Sequence, residues 1–233
     1  MKPSRAFFFL AIWSAAFSTA PAQETPSNPD ENLAPDQVTE ILKQEWTFLK
    51  EETDAFLKET ETRGEFETTP EFGKRVAARR QIYLANLATH IKDQKLDTRN
   101  FGVLLKARLV SYNADKQAYA VACSVAVQAP YDIPSLVSFI PTNPYVVMQD
   151  TVVGGYRTNR MLMKFKPHWT WPTERATAME AKADEASIFF RIRFTIDINQ
   201  PAIKNQALLR IIPKGVEFIN VNRQAILWHT AIP

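Results

Sequence analysis

Residues that could carry out acid–base, nucleophilic or metal chemistry are few in this 233-residue chain and far apart. The three histidines, His90, His168 and His229, do not fall into a metal-binding motif with other Cys, His, Asp or Glu residues. The single cysteine, Cys123, would be a candidate nucleophile if a histidine approached it in the fold. Its position in the middle of an apolar strand is more typical of a small buried side chain. The sequence therefore predicts no metal site, no cofactor and no catalytic residues.

A group of three carboxylates, Glu65, Glu67 and Glu71, is the other candidate for chemistry. Such a group could hold Ca²⁺ or act as acid and base. Helix capping and solvation explain the same residues more simply, because they lie beside a predicted helix start. The chain has only six glycines and contains neither a Gly-x-Ser-x-Gly nucleophile elbow nor a glycine-rich phosphate loop. This composition argues against standard nucleotide chemistry.

A pair of tryptophans is the best candidate for a ligand-binding site. In the stretch His168-Trp169-Thr170-Trp171-Pro172, an extended backbone would point both indole rings to the same side. Paired rings can stack on sugar faces or insert into an interface, and the predicted helix start at Pro172 would supply free backbone amides. The candidate ligand-binding residues are therefore His168, Trp169 and Trp171. The alternative is that both rings cover the end of the core where that helix docks.

Two long amphipathic helices are predicted in the N-terminal half of the chain. Apolar residues recur at helical spacing over residues 36–62 and 70–92. The first segment carries eight acidic and three basic residues, whereas residues 70–95 carry six basic and two acidic ones. Because a short turn joins the helices, we expect them to pack antiparallel, with opposite charges that favour the pairing. The negative charge of the first helix also compensates the positive charge of the second, which argues against nucleic-acid binding.

The junction between these helices has a strong helix-start pattern. Thr69 can cap the free amides, Pro70 is well tolerated at the first helical position, and Glu71 favours the positive end of the helix dipole. Phe66 and Phe72 flank this cap at positions that predict a hydrophobic staple. We therefore expect the junction to be structural. If the two rings do not support it, the junction becomes a candidate partner site.

The same junction resembles a segment of other proteins. The run Glu65-Phe66-Glu67-Thr68, followed by Glu71, Phe72 and Arg75, resembles the pattern Glu-Phe-Glu-Thr-x-x-Glu-[Phe/Tyr]-x-x-Arg of uncharacterised secreted bacterial proteins. The resemblance covers a dozen residues, and it implies a secreted protein without implying an activity, a cofactor or a ligand. Gly73 departs from it as an unusual residue for the first turn of a helix.

The C-terminal half predicts β-strands, since its apolar residues recur with a period of two. Over residues 187–198 every even position is Ile or Phe, whereas most odd positions are polar. The predicted strands cover residues 102–112, 118–127, 145–153, 156–166, 187–198, 205–212, 215–221 and 225–230. The predicted connections include a long loop at 129–144, a Gly154-Gly155 hairpin turn, a short helix at 172–184 and a turn at 213–215.

Residues 1–22 predict a secretory signal peptide, because Lys2 and Arg5 precede an apolar run and the small-residue site Ala20-Pro21-Ala22. We expect cleavage at the end of this segment and a flexible polar linker over residues 23–35. Later apolar runs are shorter than the roughly 20 residues that span a bilayer, so no stable membrane insertion is expected after cleavage. The predicted location is periplasmic or secreted.

These patterns predict one α+β domain. It consists of a helical hairpin over residues 36–95 and, over residues 96–233, a mainly antiparallel sheet of about seven or eight strands with one inserted helix. The expected function is non-catalytic, an exported binding or interaction domain whose partner is an unknown envelope protein or glycan. Two alternatives stay open. A deep pocket with converging polar groups would favour a cell-envelope hydrolase, and a flat apolar patch on the hairpin would favour a structural or oligomerisation protein.

Overall fold

The computed structural model describes residues 28–128, 137–139, 144–153, 156–199 and 208–232, so the predicted signal peptide lies outside the described residues. The α-helices are α1 (Pro35–Thr60), α2 (Thr69–Asp93) and α3 (Arg175–Ala183), and two short 3₁₀ helices cover Pro29–Asn32 and Glu185–Ser187. The strands are β1 (Phe101–Asn113), β2 (Ala118–Cys123), β3 (Ala126–Gln128), β4 (Val137–Phe139), β5 (Val146–Val153), β6 (Tyr156–Phe165), β7 (His168–Pro172), β8 (Ile188–Asn199), β9 (Leu208–Asn220) and β10 (Ala225–Ala231). The predicted α+β class is confirmed.

The strands form one large sheet and one small sheet. The large sheet has the order β10-β9-β8-β1-β2-β7, and β4 pairs with β9 beyond the segment that pairs with β10. The small sheet has the order β3-β6-β5. Among the described strands every pairing is antiparallel except that of β4 with β9, which is parallel. The predominance of antiparallel pairing and the seven strands of the large sheet agree with the sequence analysis, and three further described strands form the small sheet.

The large sheet curls until its first and last strands approach each other. Trp169 on β7 and Trp228 on β10 lie at opposite ends of the strand order, yet their ring centroids are only 4.7 Å apart. Phe190 and Phe218 from the central strands pack against Trp169 inside this curl. The small sheet adds Phe165, whose ring stacks on Phe190 at 3.7 Å. Aromatic rings therefore fill the interior, where their large apolar area contributes strongly to stability.

The two long helices form the predicted antiparallel hairpin. Three side-chain contacts between the helices show the antiparallel arrangement, because the residue number rises along α1 as it falls along α2. They join Glu45 to His90, Thr53 to Tyr83, and Glu59 to Arg79. The inner stripe of α1 is buried at Val38, Leu42, Leu49 and Phe56, which are four of the positions that the periodicity predicts. On α2 the fully buried positions begin only at Tyr83. The first half of α2 therefore lies away from the core.

The predicted linker at 23–35 differs from the structure over its described part. Pro29–Asn32 forms a 3₁₀ helix, and Leu33 is buried and bridges in parallel to Val103 of β1. An Asp30–Arg99 ion pair, with an Nη2–Oδ1 distance of 2.9 Å, fastens the same segment. A polar composition predicted disorder, but one buried leucine and one ion pair suffice to hold this short segment on the sheet.

The predicted turn at 213–215 is wrong, because β9 runs without interruption through it. The pairing of β8 with β9 shifts register at this point, where Arg193 pairs with Gly215 and Phe194 pairs with Pro213. Lys214 is therefore the extra residue of a β-bulge, a site at which a sheet accepts a proline. Proline and glycine, which usually mark turns, here mark the bulge.

Two other expectations fall partly outside the described residues. The segment 129–144 contains the short strand β4, and Gly154-Gly155 lies outside the described residues. Antiparallel pairing of β5 with β6 on both sides of the glycines nevertheless agrees with a hairpin. The inserted helix is shorter than predicted, since residues 168–172 form β7 and α3 begins at Arg175.

Candidate functional site

The predicted ligand-binding residues His168, Trp169 and Trp171 lie on β7, but the structure does not bring them together on one exposed face. His168 is exposed, Trp169 is half-buried, and Trp171 is only 2% exposed with its ring edge against Phe218 at 5.0 Å. Both indoles do point to the same side, as the alternation predicts, and that side is the interior. A ligand-binding role for the three residues stays a prediction, while the packing favours the alternative that the tryptophans are core. The predicted amide donors at Pro172 are also displaced, because this residue ends β7.

Cys123 and His90 occupy structural positions. Burial raises the pKa of the Cys123 thiol, which opposes formation of a nucleophilic thiolate. The Nε2 atom of His90 lies 2.6 Å from Oε2 of Glu45, and its ring stacks on Phe48 between the two helices. Within the part of the chain that the structure describes, no three His, Cys, Asp or Glu side chains are grouped closely enough to hold a metal ion.

The turn between α1 and α2, residues 61–68, is called the hairpin tip below. Thr68, not the predicted Thr69, caps α2: its Oγ1 accepts a hydrogen bond from the Glu71 amide, and the Glu71 carboxylate accepts one from the Thr68 amide. This reciprocal pair is a capping box. The hydroxyl of Thr69 instead accepts a hydrogen bond from Arg63 at 3.0 Å. The prediction was wrong by one residue because the helix includes Thr69.

A salt bridge fixes the backbone of the hairpin tip. Arg75 donates from Nε and Nη2 to the two carboxylate oxygens of Glu67 at 2.9 and 2.7 Å, and Nη2 also donates to the Thr62 carbonyl at 3.1 Å. The Glu67 carboxylate accepts a further hydrogen bond from the Gly64 amide at 3.0 Å. The hydrogen bond from Arg75 is the main reason that the pKa of Glu67 is lowered to about 2. These bonds join Arg75 of α2 to Thr62 and Glu67 of the turn, and Glu67 to Gly64.

Phe66 is 93% exposed at this tip, so the predicted Phe66–Phe72 staple is wrong. In a staple, the residue before the cap packs against the helix. Here that position belongs to Glu67, which Arg75 holds. Phe72 is half-buried beneath the Arg75 guanidinium, which lies 5.2 Å from its ring centroid. Phe66 is therefore exposed to solvent on a turn in which hydrogen bonds hold Glu67 and Thr68.

A second polar cluster lies on the outer face of the large sheet. Glu217 is 7% exposed and accepts a hydrogen bond from Nε of Arg191 at 2.6 Å. Arg193 approaches the other Glu217 oxygen at 3.4 Å and the Glu31 carboxylate at 3.6 Å. Asn32 accepts a hydrogen bond from Arg191 at 3.1 Å, so the N-terminal 3₁₀ helix takes part as well. The sequence analysis missed this cluster, since it forms only when β8 and β9 pair in the observed register.

Two small clefts border the positive charge in this region. One cleft of about 200 Å³ includes Arg193, Lys214 and His229 in its lining. Another, of about 330 Å³, lies next to Arg191 and Asn220.

None of the helices in the described part of the chain combines the length and apolar character that a membrane span requires.

The resemblance at the hairpin tip remains a prediction from the sequence, and so does export. In comparisons with known proteins, the chain matches no protein-family model, no curated protein and no solved structure.

Proposed function

We propose that this protein is exported to the periplasm or the cell exterior and acts there as a non-catalytic binding protein. Its hairpin tip inserts Phe66 into an apolar pocket of another envelope protein. The observation that carries this proposal is the 93% exposure of Phe66 on a turn that hydrogen bonds hold in place. The pattern at residues 1–22 supports export.

The residues of the tip divide into two groups with different tasks. Glu67, Thr68, Glu71 and Arg75 build the turn through the salt bridge and the capping box. Phe66 makes no aromatic or cation–π contact with the residues that the structure describes. A large ring that stays in water after folding gains no stabilisation from burial, and a binding role accounts for its presence.

Preorganisation makes such a ring an efficient binding residue. Aromatic side chains dominate the small sets of residues that carry most of the energy of protein interfaces. Binding also costs less when the backbone around the anchor is ordered beforehand, and here Arg75 and Glu67 order it. The tip therefore presents an aromatic side chain on a backbone that is already ordered before a partner binds.

The position of the tip gives the ring access to a partner. The first 14 residues of α2, 69–82, contain no fully buried side chain. At about 1.5 Å per residue this part of the helix is about 20 Å long, so the tip stands clear of the core. An isolated phenyl ring has no polar edge with which to recognise a hydroxyl-rich glycan. We therefore favour a protein with an apolar pocket as the partner.

The test is site-specific photo-crosslinking in the cells that produce the protein. A photoreactive phenylalanine analogue replaces Phe66 in one variant and Ile82 in the control, which is 49% exposed on the same hairpin. The expected result is a discrete crosslinked protein from position 66 that is absent from position 82, identified by mass spectrometry. Equal crosslinking at both positions, or none at position 66 in correctly located protein, contradicts the proposal.

Export has a separate test, so its failure is distinguishable from failure of the tip. Intact-mass analysis of protein recovered from the cell envelope is expected to find chains that begin at Gln23. Recovery of the full chain with Met1 from the cytoplasm alone would reject export while leaving the binding role of Phe66 open to measurement with purified protein.

A further inference from the structure

Three neighbouring strands contribute residues to a cleft on the outer face of the large sheet. Arg193 of β8 pairs with Gly215 of β9, which pairs with Ala231 of β10. These three positions face outward, because the neighbouring residue Phe194 points into the core and is 1% exposed. Gly215 has no side chain, and a Cβ atom there would lie only 3.1 Å from the Thr230 carbonyl oxygen, so the β10 backbone passes close to this position. Gly215 and Thr230 both line the cleft of about 200 Å³.

The β-bulge in β9 brings a lysine to the same cleft. Lys214 is the extra residue between Pro213 and Gly215, it is exposed, and it lines the cleft. Bulges commonly redirect a side chain at a functional site. The Lys214 ammonium forms no ion pair with the residues that the structure describes. A positive charge without an ion-pair partner among the described residues therefore lies at the cleft.

Arg193 is the second cation of the cleft, and its present ion pairs are loose. Its side chain is 44% exposed, and it lies 3.4 Å from Glu217 and 3.6 Å from Glu31. Glu217 does not depend on it, because Arg191 holds that carboxylate with a 2.6 Å hydrogen bond. A guanidinium has five N–H donors, so Arg193 keeps donors for another anion.

The balance of charge and donors selects an anionic ligand. The cleft is lined by two positive groups, on Arg193 and Lys214, and one negative group, on Glu217, which leaves a net charge of +1 before any charge on His229. The Asn100 side-chain amide also lines the cleft, and it has a second N–H besides the one that it donates to the Thr98 carbonyl. Arginine and lysine together with neutral donors are a typical environment for carboxylate and phosphate groups.

We propose that this cleft binds one small anionic group, a carboxylate or a phosphate, between Arg193 and Lys214 above Gly215. Its volume of about 200 Å³ is below that of sites for drug-sized molecules, so one head group fits and the rest of a larger ligand stays outside. The site is independent of the hairpin tip, since none of its residues belongs to α1 or α2.

The experiment is a titration of isotopically labelled full-length mature protein, followed by amide NMR shifts. Sodium phosphate and sodium acetate are the two probes, each added at constant ionic strength so that general screening does not change. Saturable shifts at residues 100, 193, 214–215 and 229–231 are the expected result. Saturation by one probe alone identifies which of the two chemistries the cleft prefers. The absence of saturable shifts with both probes overturns the proposal.

Two variants and one control test the assignment of residues. Lys214→Gln and Arg193→Gln are each expected to weaken binding by about tenfold, the scale of one charge-assisted hydrogen bond. Lys116→Gln removes an equally exposed charge from the β1–β2 turn and is expected to leave binding unchanged. Because Lys214 is exposed and unpaired in the described residues, its variant tests binding even if Arg193→Gln weakens the fold. Equal binding by Lys214→Gln and the wild type, or equal loss in the Lys116 control, refutes the site.

Discussion

Arg75 on α2 holds the Glu67 carboxylate through two parallel hydrogen bonds, 2.9 and 2.7 Å long, across the hairpin tip. Paired N–H donors of this kind fix direction as well as distance. The chain reverses between two long helices at this point, and Phe66, directly before Glu67, is left in solvent. The position of the exposed ring is thus a consequence of the salt bridge beside it.

The first prediction concerns the pH dependence of this salt bridge. The pKa of Glu67 is lowered from 4.5 to about 2 in the folded protein, so the folded state favours the ionised carboxylate. Its stabilising contribution is fully present above about pH 4.5 and is lost as the pH falls towards 2. The melting temperatures of wild type and Glu67→Gln should therefore differ most above pH 5 and converge near pH 2. A difference that stays constant with pH would contradict the role of Glu67.

The second prediction separates the two threonines at the start of α2. Thr68→Ala removes the hydroxyl that accepts the Glu71 amide, and it should lower the free energy of unfolding by about 1 kcal/mol. Thr69→Ala is the control, since it loses only an exposed contact with Arg63. Urea unfolding of both variants measures the difference. A larger loss for Thr69→Ala would mean that Thr69 is the cap after all.

The third prediction uses two glycines with opposite surroundings. A Cβ atom at Gly102 would lie 2.3 Å from the Glu31 carbonyl oxygen, so Gly102→Ala must displace the N-terminal 3₁₀ helix. We expect a loss of about 1–3 kcal/mol in the free energy of unfolding, the usual cost of overpacking. Gly73→Ala, on the exposed side of α2 with no atom within 4 Å of its Cβ, should instead stabilise the protein by about 0.5–1 kcal/mol. Chemical denaturation of the two variants should give opposite signs.

The fourth prediction decides between ligand and core for the tryptophan pair. Trp171→Ala removes a buried ring that packs on Phe218, so it should cost about 3–5 kcal/mol. His168→Ala, on the exposed side of the same strand, should change stability little. Thermal and urea unfolding measure both effects. A Trp171→Ala variant with wild-type stability would return this residue to the list of ligand candidates.

The helices and most strands could be predicted because their patterns are local. The apolar stripe of α1 and the alternation in β8 each repeat over many residues, and the core buries the expected positions. Local patterns also place Trp169 and Trp171 on one side of a strand. Local patterns do not show which face of the sheet is buried, because that depends on how far the sheet curls.

The candidate sites were harder to predict, because each depends on a contact between distant or competing groups. At the hairpin tip the sequence predicts a staple, because two phenylalanines flank the cap, and it does not predict the salt bridge. Glu67 and Arg75 are eight residues apart, and the turn between them decides whether they meet. The cleft beside Arg193 depends on the register of β8 with β9 and on the bulge at Lys214. The alternation of residues within one strand predicts neither of them.

The central claim is that Phe66 binds a partner and does not stabilise the hairpin. The most direct test takes the partner that is captured at position 66. It measures the dissociation constant of this partner with purified wild type, Phe66→Ala and Ile82→Ala. We predict equal melting temperatures for wild type and Phe66→Ala, with affinity weakened about 30-fold or more, as for a central aromatic anchor. Ile82→Ala should retain wild-type affinity. Unchanged affinity in Phe66→Ala, or a melting temperature lowered by the substitution, would contradict the claim.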